Sequence, residues 1–301
     1  MTNTNYKSGY VAIVGRPNVG KSTLLNRILG QKLCITSRRP QTTRHRILGI
    51  NTLENSQVIY VDTPGLHSDN KRAMNRYMNR TATASIDDVD VILFVIEGLS
   101  WTNDDENVLK RLKKDAKVPV LLIINKVDKL ADKEQLLPQI KKLAPEFDFA
   151  NIVPISAEKG SNVKELEAEI LDLIPEGEII FPEDQITDRS SRFLASELVR
   201  EKLFRRLGQE LPYALTVEIE QFDDEGKFYR VGAVIYVERS SQKGIVIGKQ
   251  GKLLKEVGQE ARIDMEKLFD CKIFLRLWVK VREGWSDNER MLQNLGYKDE
   301  L

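Results

Sequence analysis

Through the first 175 residues, short runs that are apolar nearly throughout alternate with stretches of helical periodicity. Tyr10–Val14, Val58–Asp62, Val89–Ile96, Val118–Ile124 and Ile152–Ile155 predict strands covered on both faces, as in a parallel sheet. Between them, Lys21–Leu29, Arg72–Ser85, Asp104–Lys114, Lys133–Leu143 and Val163–Leu173 predict helices. Such alternation predicts a doubly wound α/β domain. Ile47–Ile50, a polar turn and Val58–Val61 predict an antiparallel hairpin at the sheet edge.

Pro175-Glu176-Gly177-Glu178 ends this pattern, and the acidic stretch through Pro182, Glu183 and Asp184 reads as a linker. The order then changes. Arg192–Leu207 predicts an amphipathic helix, with Leu194/Leu198 and Val199/Leu203/Leu207 stepping by four. Two strands follow, Tyr213–Gln221 and Tyr229–Val237, joined by a turn at Asp223-Asp224-Glu225-Gly226. After Gly248–Gly251 come a helix to about Leu268 and a strand at Lys272–Val281. The expected organisation is one domain over 1–175, a linker over 176–190 and an α+β domain over 191–301.

Composition adds little beyond a soluble globular class: 41% hydrophobic and 30% charged residues. No apolar run reaches the roughly 18–20 residues of a membrane span. The polar start Met1–Ser8 predicts no secretory signal, so the terminal Lys298-Asp299-Glu300-Leu301, which spells an ER-retention address, reads as coincidence. Cys34 and Cys271 are far apart and, with two histidines elsewhere, form no metal-ligand pattern; they read as reduced thiols of a cytosolic protein. Net charge is +1, so only local runs are informative. Lys32, Arg38, Arg39, Arg44 and Arg46 lie in an acid-free stretch, as do Arg239, Lys243, Lys249, Lys252 and Lys255.

Four motifs carry chemistry. Gly15-Arg16-Pro17-Asn18-Val19-Gly20-Lys21-Ser22, with Thr23 next, fits the phosphate-binding P-loop and falls between a strand and a helix. Its backbone N–H groups can face phosphate, Lys21 can reach the β- and γ-phosphates, and Ser22 can ligate Mg²⁺. Asp62-Thr63-Pro64-Gly65 comes off a strand: Asp62 would hold Mg²⁺ through water and the Gly65 N–H would meet the γ-phosphate. In Asn125-Lys126-Val127-Asp128, a carboxylate can accept both N1–H and N2–H of guanine, which adenine does not offer. Asn125 would brace that loop, and the Lys126 stem would cover the base. Ser156-Ala157-Glu158-Lys159-Gly160 can place a backbone N–H on guanine O6.

With these motifs in this order, the first 175 residues resemble translation-factor-type small GTPases of the branch that includes Era, Der and MnmE. The resemblance implies binding of GTP and GDP, hydrolysis of GTP, and Mg²⁺ held by Ser22, Thr43 and Asp62. It assigns Thr43, in Gln41-Thr42-Thr43-Arg44, to a switch loop closing over Mg²⁺ and the γ-phosphate, with the register against Thr42 left open. The basic residues around it read either as a solvated loop or as an RNA contact. Leu66 occupies the place of a water-positioning glutamine in Ras-like enzymes, and an aliphatic side chain cannot orient water, so hydrolysis is expected to be slow. His67 reads as an exposed loop residue. The resemblance gives Asn18 a part in holding K⁺ against the phosphates, in the role of an arginine finger. Lys21, Thr43 and Asn18 are the candidate catalytic residues.

Val246-Ile247-Gly248-Lys249-Gln250-Gly251, between two helices and after helix–strand–strand, resembles a type II KH domain. In that module the Gly-x-x-Gly loop meets single-stranded nucleotides. Lys243, Gly248, Lys249, Gln250, Gly251, Lys252 and Lys255 are the candidate RNA contacts; Ile245 and Ile247 read as core positions, as part of that surface, or as both. One GTPase domain followed by one KH domain resembles the Era family over essentially the full length. That implies binding near the 3′ end of 16S ribosomal RNA, a role in assembly of the 30S subunit, a monomer, and a cytoplasmic location with loose peripheral contact with the inner membrane. Two other readings are a GTP-switched scaffold or membrane-signalling GTPase whose KH-like domain binds protein, and an RNA-modifying enzyme. The loop cations disfavour the first, and the second lacks an apparent further catalytic cluster.

Overall fold

Residues Val91–Ile96 are completely buried, because helices cover both faces of the sheet in which they lie. The computed structural model describes residues 6–37, 39, 41–65, 72–84, 88–208 and 211–297. Leu66, His67, Arg38, Ser85 and Lys298–Leu301, named above, lie outside those residues.

The first sheet contains β1 (Lys7–Val14), β2 (Ile47–Leu53), β3 (Ser56–Asp62), β4 (Val91–Glu97), β5 (Val120–Asn125) and β6 (Asn151–Pro154). Its order is β2-β3-β1-β4-β5-β6, parallel except for the expected hairpin β2/β3. Helices α1 (Lys21–Ile28), α2 (Ala73–Ala84), α3 (Asn103–Asp115), α4 (Leu136–Leu143) and α5 (Val163–Leu173) alternate with the strands. One apolar cluster packs Leu24, Leu25, Leu166 and Ile170 against one face of the sheet. A second packs Val108, Leu109 and Leu112 against the other. The helix expected at Lys133–Leu143 divides: a 3₁₀ turn at Lys133–Gln135 precedes α4. Pro138 explains the regular start at Leu136, since a proline fits only the first turn, where no N–H is needed.

The 176–190 stretch has no regular element but is pinned along the hairpin edge. Gln57 accepts from the N–H groups of Ile180 and Phe181 and donates to the Phe181 carbonyl. Ile50 N–H donates to Ile186 O, and Leu48 N–H to Asp188. These bonds cover an exposed strand edge.

Past it, α6 (Ser191–Arg206) precedes β7 (Leu215–Asp224), β8 (Phe228–Val237), α7 (Ser240–Ile247), α8 (Lys252–Phe269), β9 (Lys272–Val281) and α9 (Glu289–Asn294). The sheet order is β7-β8-β9, antiparallel then parallel. The parallel step needs a crossover, which α7 and α8 supply. This is the type II KH arrangement. Its core joins Leu198, Leu203, Val231, Ile235, Val257 and Met265. Cys34 is a buried free thiol and Cys271 a half-buried one.

Candidate functional site

The P-loop curls between β1 and α1 because glycine stands where a side chain has no room. Gly20 has φ 105°, and a Cβ there would lie 2.3 Å from Asn125 Nδ2. That amide nitrogen donates to Val19 O at 2.8 Å, while Asn125 Oδ1 accepts from Lys126 N–H at 2.7 Å and Ala157 N–H at 3.0 Å. One side chain therefore ties three of the four motif loops together, the bracing expected of it. The loops line a cavity of about 1250 Å³.

Lys21 is buried and donates to the carbonyls of Gly15 (2.9 Å) and Arg16 (3.0 Å). Burial pulls its pKa down to about 8, against the partial opposition of Asp62. Arg16 points away from the loop, pairing with Asp105 at 3.0 Å and Glu97 at 3.4 Å. Ser22 Oγ donates to Asp62 Oδ2 at 2.6 Å and lies 2.9 Å from Thr43 Oγ1. The second oxygen of Asp62 is buried with no hydrogen-bond partner, and burial raises the carboxyl's pKa. Three hard oxygen donors with one unsatisfied buried carboxylate oxygen fit Mg²⁺. Thr42 turns the other way, its hydroxyl donating to Arg39 O at 2.8 Å. Thr63 donates to Ile13 O, holding the Asp62–Gly65 turn against β1. Pro64 carries that turn onward, and Gly65 closes on the P-loop, where a Cβ would stand 2.7 Å from Pro17 N.

In the Asn125–Asp128 loop, Asp128 Oδ1 accepts from Ser156 Oγ at 2.5 Å. Lys126 donates to Asn18 O at 2.6 Å and pairs with Glu97 at 2.9 Å, so its stem crosses from this loop to the P-loop. Asn18 has φ 66° on the cavity wall. Arg27 Nε donates to Ala157 O at 3.0 Å, and the same guanidinium reaches Glu158 O. Val19 is buried in the core beneath the loop, and Thr23 lines the cavity.

Two residues of the first basic run, Lys32 and Arg44, are engaged by the C-terminal domain, Arg44 buried and Lys32 half-buried. Arg44 is 1% exposed and donates to Leu215 O at 2.8 Å and Pro212 O at 3.1 Å of the C-terminal domain. Lys32 pairs with Glu201 at 2.5 Å and Asp264 at 2.8 Å. Arg200, paired with Glu197, donates to Thr42 O at 2.5 Å. Glu201 accepts from Thr36 N–H at 2.9 Å. The expected amphipathic helix is thus buried on its polar side too, because the loop carrying Thr36 and Thr42 lies there. A second contact joins α2 to the C-terminal segment: Met74 and Tyr77 share an apolar cluster with Trp285, Leu292 and Tyr297. His45 stacks on Tyr297 with ring centroids 4.5 Å apart, and burial holds its pKa well below the usual histidine value. Sequence reasoning assigned none of these residues to a contact between domains; a charged triplet Glu197, Arg200 and Glu201 on one helix side was the available signal.

The second basic run surrounds the Gly-x-x-Gly turn. Gly248 (φ 73°), Gln250 (φ 53°) and Gly251 (φ 74°) form the turn between α7 and α8. Lys243, Lys249, Lys252 and Lys255 are exposed around it. Val246 is the core residue here; Ile245 is exposed and Ile247 half-buried, which removes Ile245 from the core. A groove of about 400 Å³ runs from Gly251 between α8 and β9, past Leu254, Lys255, Gly258, Leu275 and Leu277.

A family model described as 50S ribosome-binding GTPase matches residues 10–126, and a KH-domain model matches residues 210–286. GTPase Era of Azotobacter vinelandii is 59% identical over 300 residues, 99% of this chain and 100% of that protein. GTPase Era of Pseudomonas aeruginosa is 58% identical over 293 residues, 97% of this chain and 96% of that one. A crystal structure of Era in complex with MgGDPNP and nucleotides 1506–1542 of 16S ribosomal RNA superposes with a TM-score of 0.93 at 40% identity, covering 97% of this chain and 99% of that one. A point variant of Aquifex aeolicus Era bound to GDP and aluminium fluoride gives the same TM-score at 41% identity, with the same shares of both chains covered. With both domains, their order and near-complete coverage in agreement, the chain belongs to the GTPase Era family.

Proposed function

We propose that this GTPase binds 16S ribosomal RNA near its 3′ end in its GTP state and acts in assembly of the 30S subunit, with hydrolysis releasing the RNA. One observation carries the coupling. On adjacent residues of the switch loop, the Thr43 hydroxyl faces Ser22 in the nucleotide site, and the Thr42 carbonyl accepts from Arg200 on the first helix of the RNA-binding half. A loop ordered by nucleotide at one residue is felt by the other domain at the next.

In this reading Lys21 meets the β- and γ-phosphates, with the P-loop N–H groups from Gly15 to Thr23 around them. Ser22 and Thr43 are the hydroxyl ligands of Mg²⁺, and Asp62 holds it through water. When bound, that ion neutralises charge on the phosphates. Asp128 reads guanine, Asn125 and Lys126 support its loop, and Ser156, Ala157 and Glu158 close over the base. Asp62–Gly65 faces the γ-phosphate. Asn18 helps hold K⁺, which supports slow, K⁺-stimulated hydrolysis. Lys243, Gly248–Gly251, Lys252 and Lys255 hold single-stranded RNA. The domain limits 1–175, 176–190 and 191–301, a monomeric cytoplasmic protein and a loose contact with the inner membrane belong to the same proposal. No helix of the described residues is long and apolar enough to cross a membrane, so that contact would be peripheral. Retention of total RNA on the purified protein with GTP, followed by sequencing, tests it: the account expects enrichment of the 16S 3′ end, and unselective retention counts against it.

A further inference from the structure

The three-stranded sheet of the C-terminal domain packs its helices on one face only. Along β9 the odd positions Ile273, Leu275, Leu277 and Val279 turn to that core. The even positions turn outward, and they read Lys272, Phe274, Arg276, Trp278 and Lys280. In register beside them on β8 stand the half-buried Phe228, Arg230 and Tyr236, with Gly232 and Val234 buried between them. Phe274 and Trp278 are each 43% exposed, an unusual display for large aromatic side chains on one strand.

These groups form an ordered surface. The Arg230 guanidinium lies 5.8 Å from the ring centres of both Phe228 and Phe274, and Arg276 lies 5.1 Å from Phe274. Planar groups therefore alternate across two strands. Trp278 leans over Gly232, where a Cβ would stand 3.1 Å from its Cζ3; the glycine leaves room for the indole to lie along the sheet. Covering a glycine explains the tilt of the ring but not its exposure. The charge is biased as well. Arg230 pairs with Glu225 and Lys280 with Glu220, whereas Lys272 and Arg276 make no ion pair among the described residues. Continuity completes the picture: β9 is an edge strand of the sheet, and Leu275 and Leu277, on its other face, line the groove that begins at the Gly-x-x-Gly loop.

We propose that single-stranded RNA leaving this groove crosses the edge of β9 and stacks bases on the outward face, at Phe274, Arg276 and Trp278. Phe274 and Trp278 are four residues apart, about 13 Å along a strand, so they take separate bases, with the Arg276 cation between them for phosphate. Rings and guanidinium planes accept any base, so this second contact extends the bound length without adding sequence selection. It rests on the RNA reading above.

The test uses the full-length protein and two unstructured RNAs. One is about four nucleotides long, the length a Gly-x-x-Gly loop holds; the other is roughly ten, within the range of stacking surfaces. In the Phe274→Ala/Trp278→Ala variant the longer RNA should bind about tenfold weaker or worse, while the shorter binds as to wild type. Trp278→Phe, which keeps a ring, should retain most of the longer RNA's affinity. Indifference of both RNAs to the double variant overturns the sheet-face contact and leaves the groove reading standing. Equal weakening of both means the rings act through the fold and also overturns it. If wild type binds neither RNA at any length, the RNA reading itself fails. Self-association lost in the variant with RNA affinity unchanged would assign the face to a second copy of the chain instead.

Discussion

Arg200 donates to the carbonyl of Thr42 at 2.5 Å, while the hydroxyl of Thr43 stands 2.9 Å from Ser22. In the proposed reading this is the switch loop, and a loop held from both sides at successive residues would transmit order in either direction. Removing Arg200 alone would leave Glu197 buried without its partner, at about 3–5 kcal/mol. Replacing both, Glu197→Leu with Arg200→Leu, avoids that and should leave GTP affinity near wild type. The ratio of RNA affinities between the GDPNP and GDP states should fall toward one, measured by fluorescence anisotropy. A wild-type ratio in a folded double variant would mean that this contact does not couple the domains.

In the proposed reading, guanine selection rests on Asp128. Asp128→Asn should weaken GTP by roughly hundredfold, since a charge-assisted pair of hydrogen bonds is lost. Xanthosine triphosphate should bind better, because xanthine replaces the 2-amino donor with an acceptor. Isothermal titration of both nucleotides decides it, and unchanged GTP affinity would show that the loop does not read the base.

Hydrolysis should be faster in K⁺ than in Na⁺ at equal ionic strength, on the order of tenfold, part of what an arginine finger supplies elsewhere. Asn18→Ala should lose that difference while still binding GTP. Equal rates in the two salts, or a K⁺ response kept by the variant, would remove the ion from the scheme.

The placement of the four motif loops was legible in the sequence because its signal is local: each motif sits within a few residues of a strand end, and helix α5 begins and ends as its pattern predicts. Arg44 was not, because what buries it lies 168 and 171 residues away. A basic loop reads the same whether solvent or a second domain covers it. The choice between Thr42 and Thr43 was equally closed to sequence, since adjacent residues of a loop differ only in which way the backbone turns. Gln57 illustrates a signal that could have been used: a polar side chain beside an apolar run, fully buried, gives most of its hydrogen bonds to the linker. Helix α9 was missed because its apolar side faces α2 rather than its own domain's core.

Lys249→Asp with Gln250→Asp keeps both glycines of the turn and sets two anions where phosphate should lie. Binding of single-stranded RNA should fall at least tenfold, roughly what one lost charged contact and new repulsion give, with GTP affinity unchanged. In wild type the affinity should also fall as salt rises. RNA binding indifferent to the aspartates, in a variant folded by circular dichroism, would shift the loop's role to protein contact.

The central claim is that nucleotide state sets RNA binding, and one comparison tests it most directly. Affinity of the wild-type chain for a fragment of the 16S RNA 3′ end is measured with GDPNP and with GDP, both with Mg²⁺, at one salt concentration. The account predicts tighter binding with GDPNP. Equal affinities in the two states would contradict it.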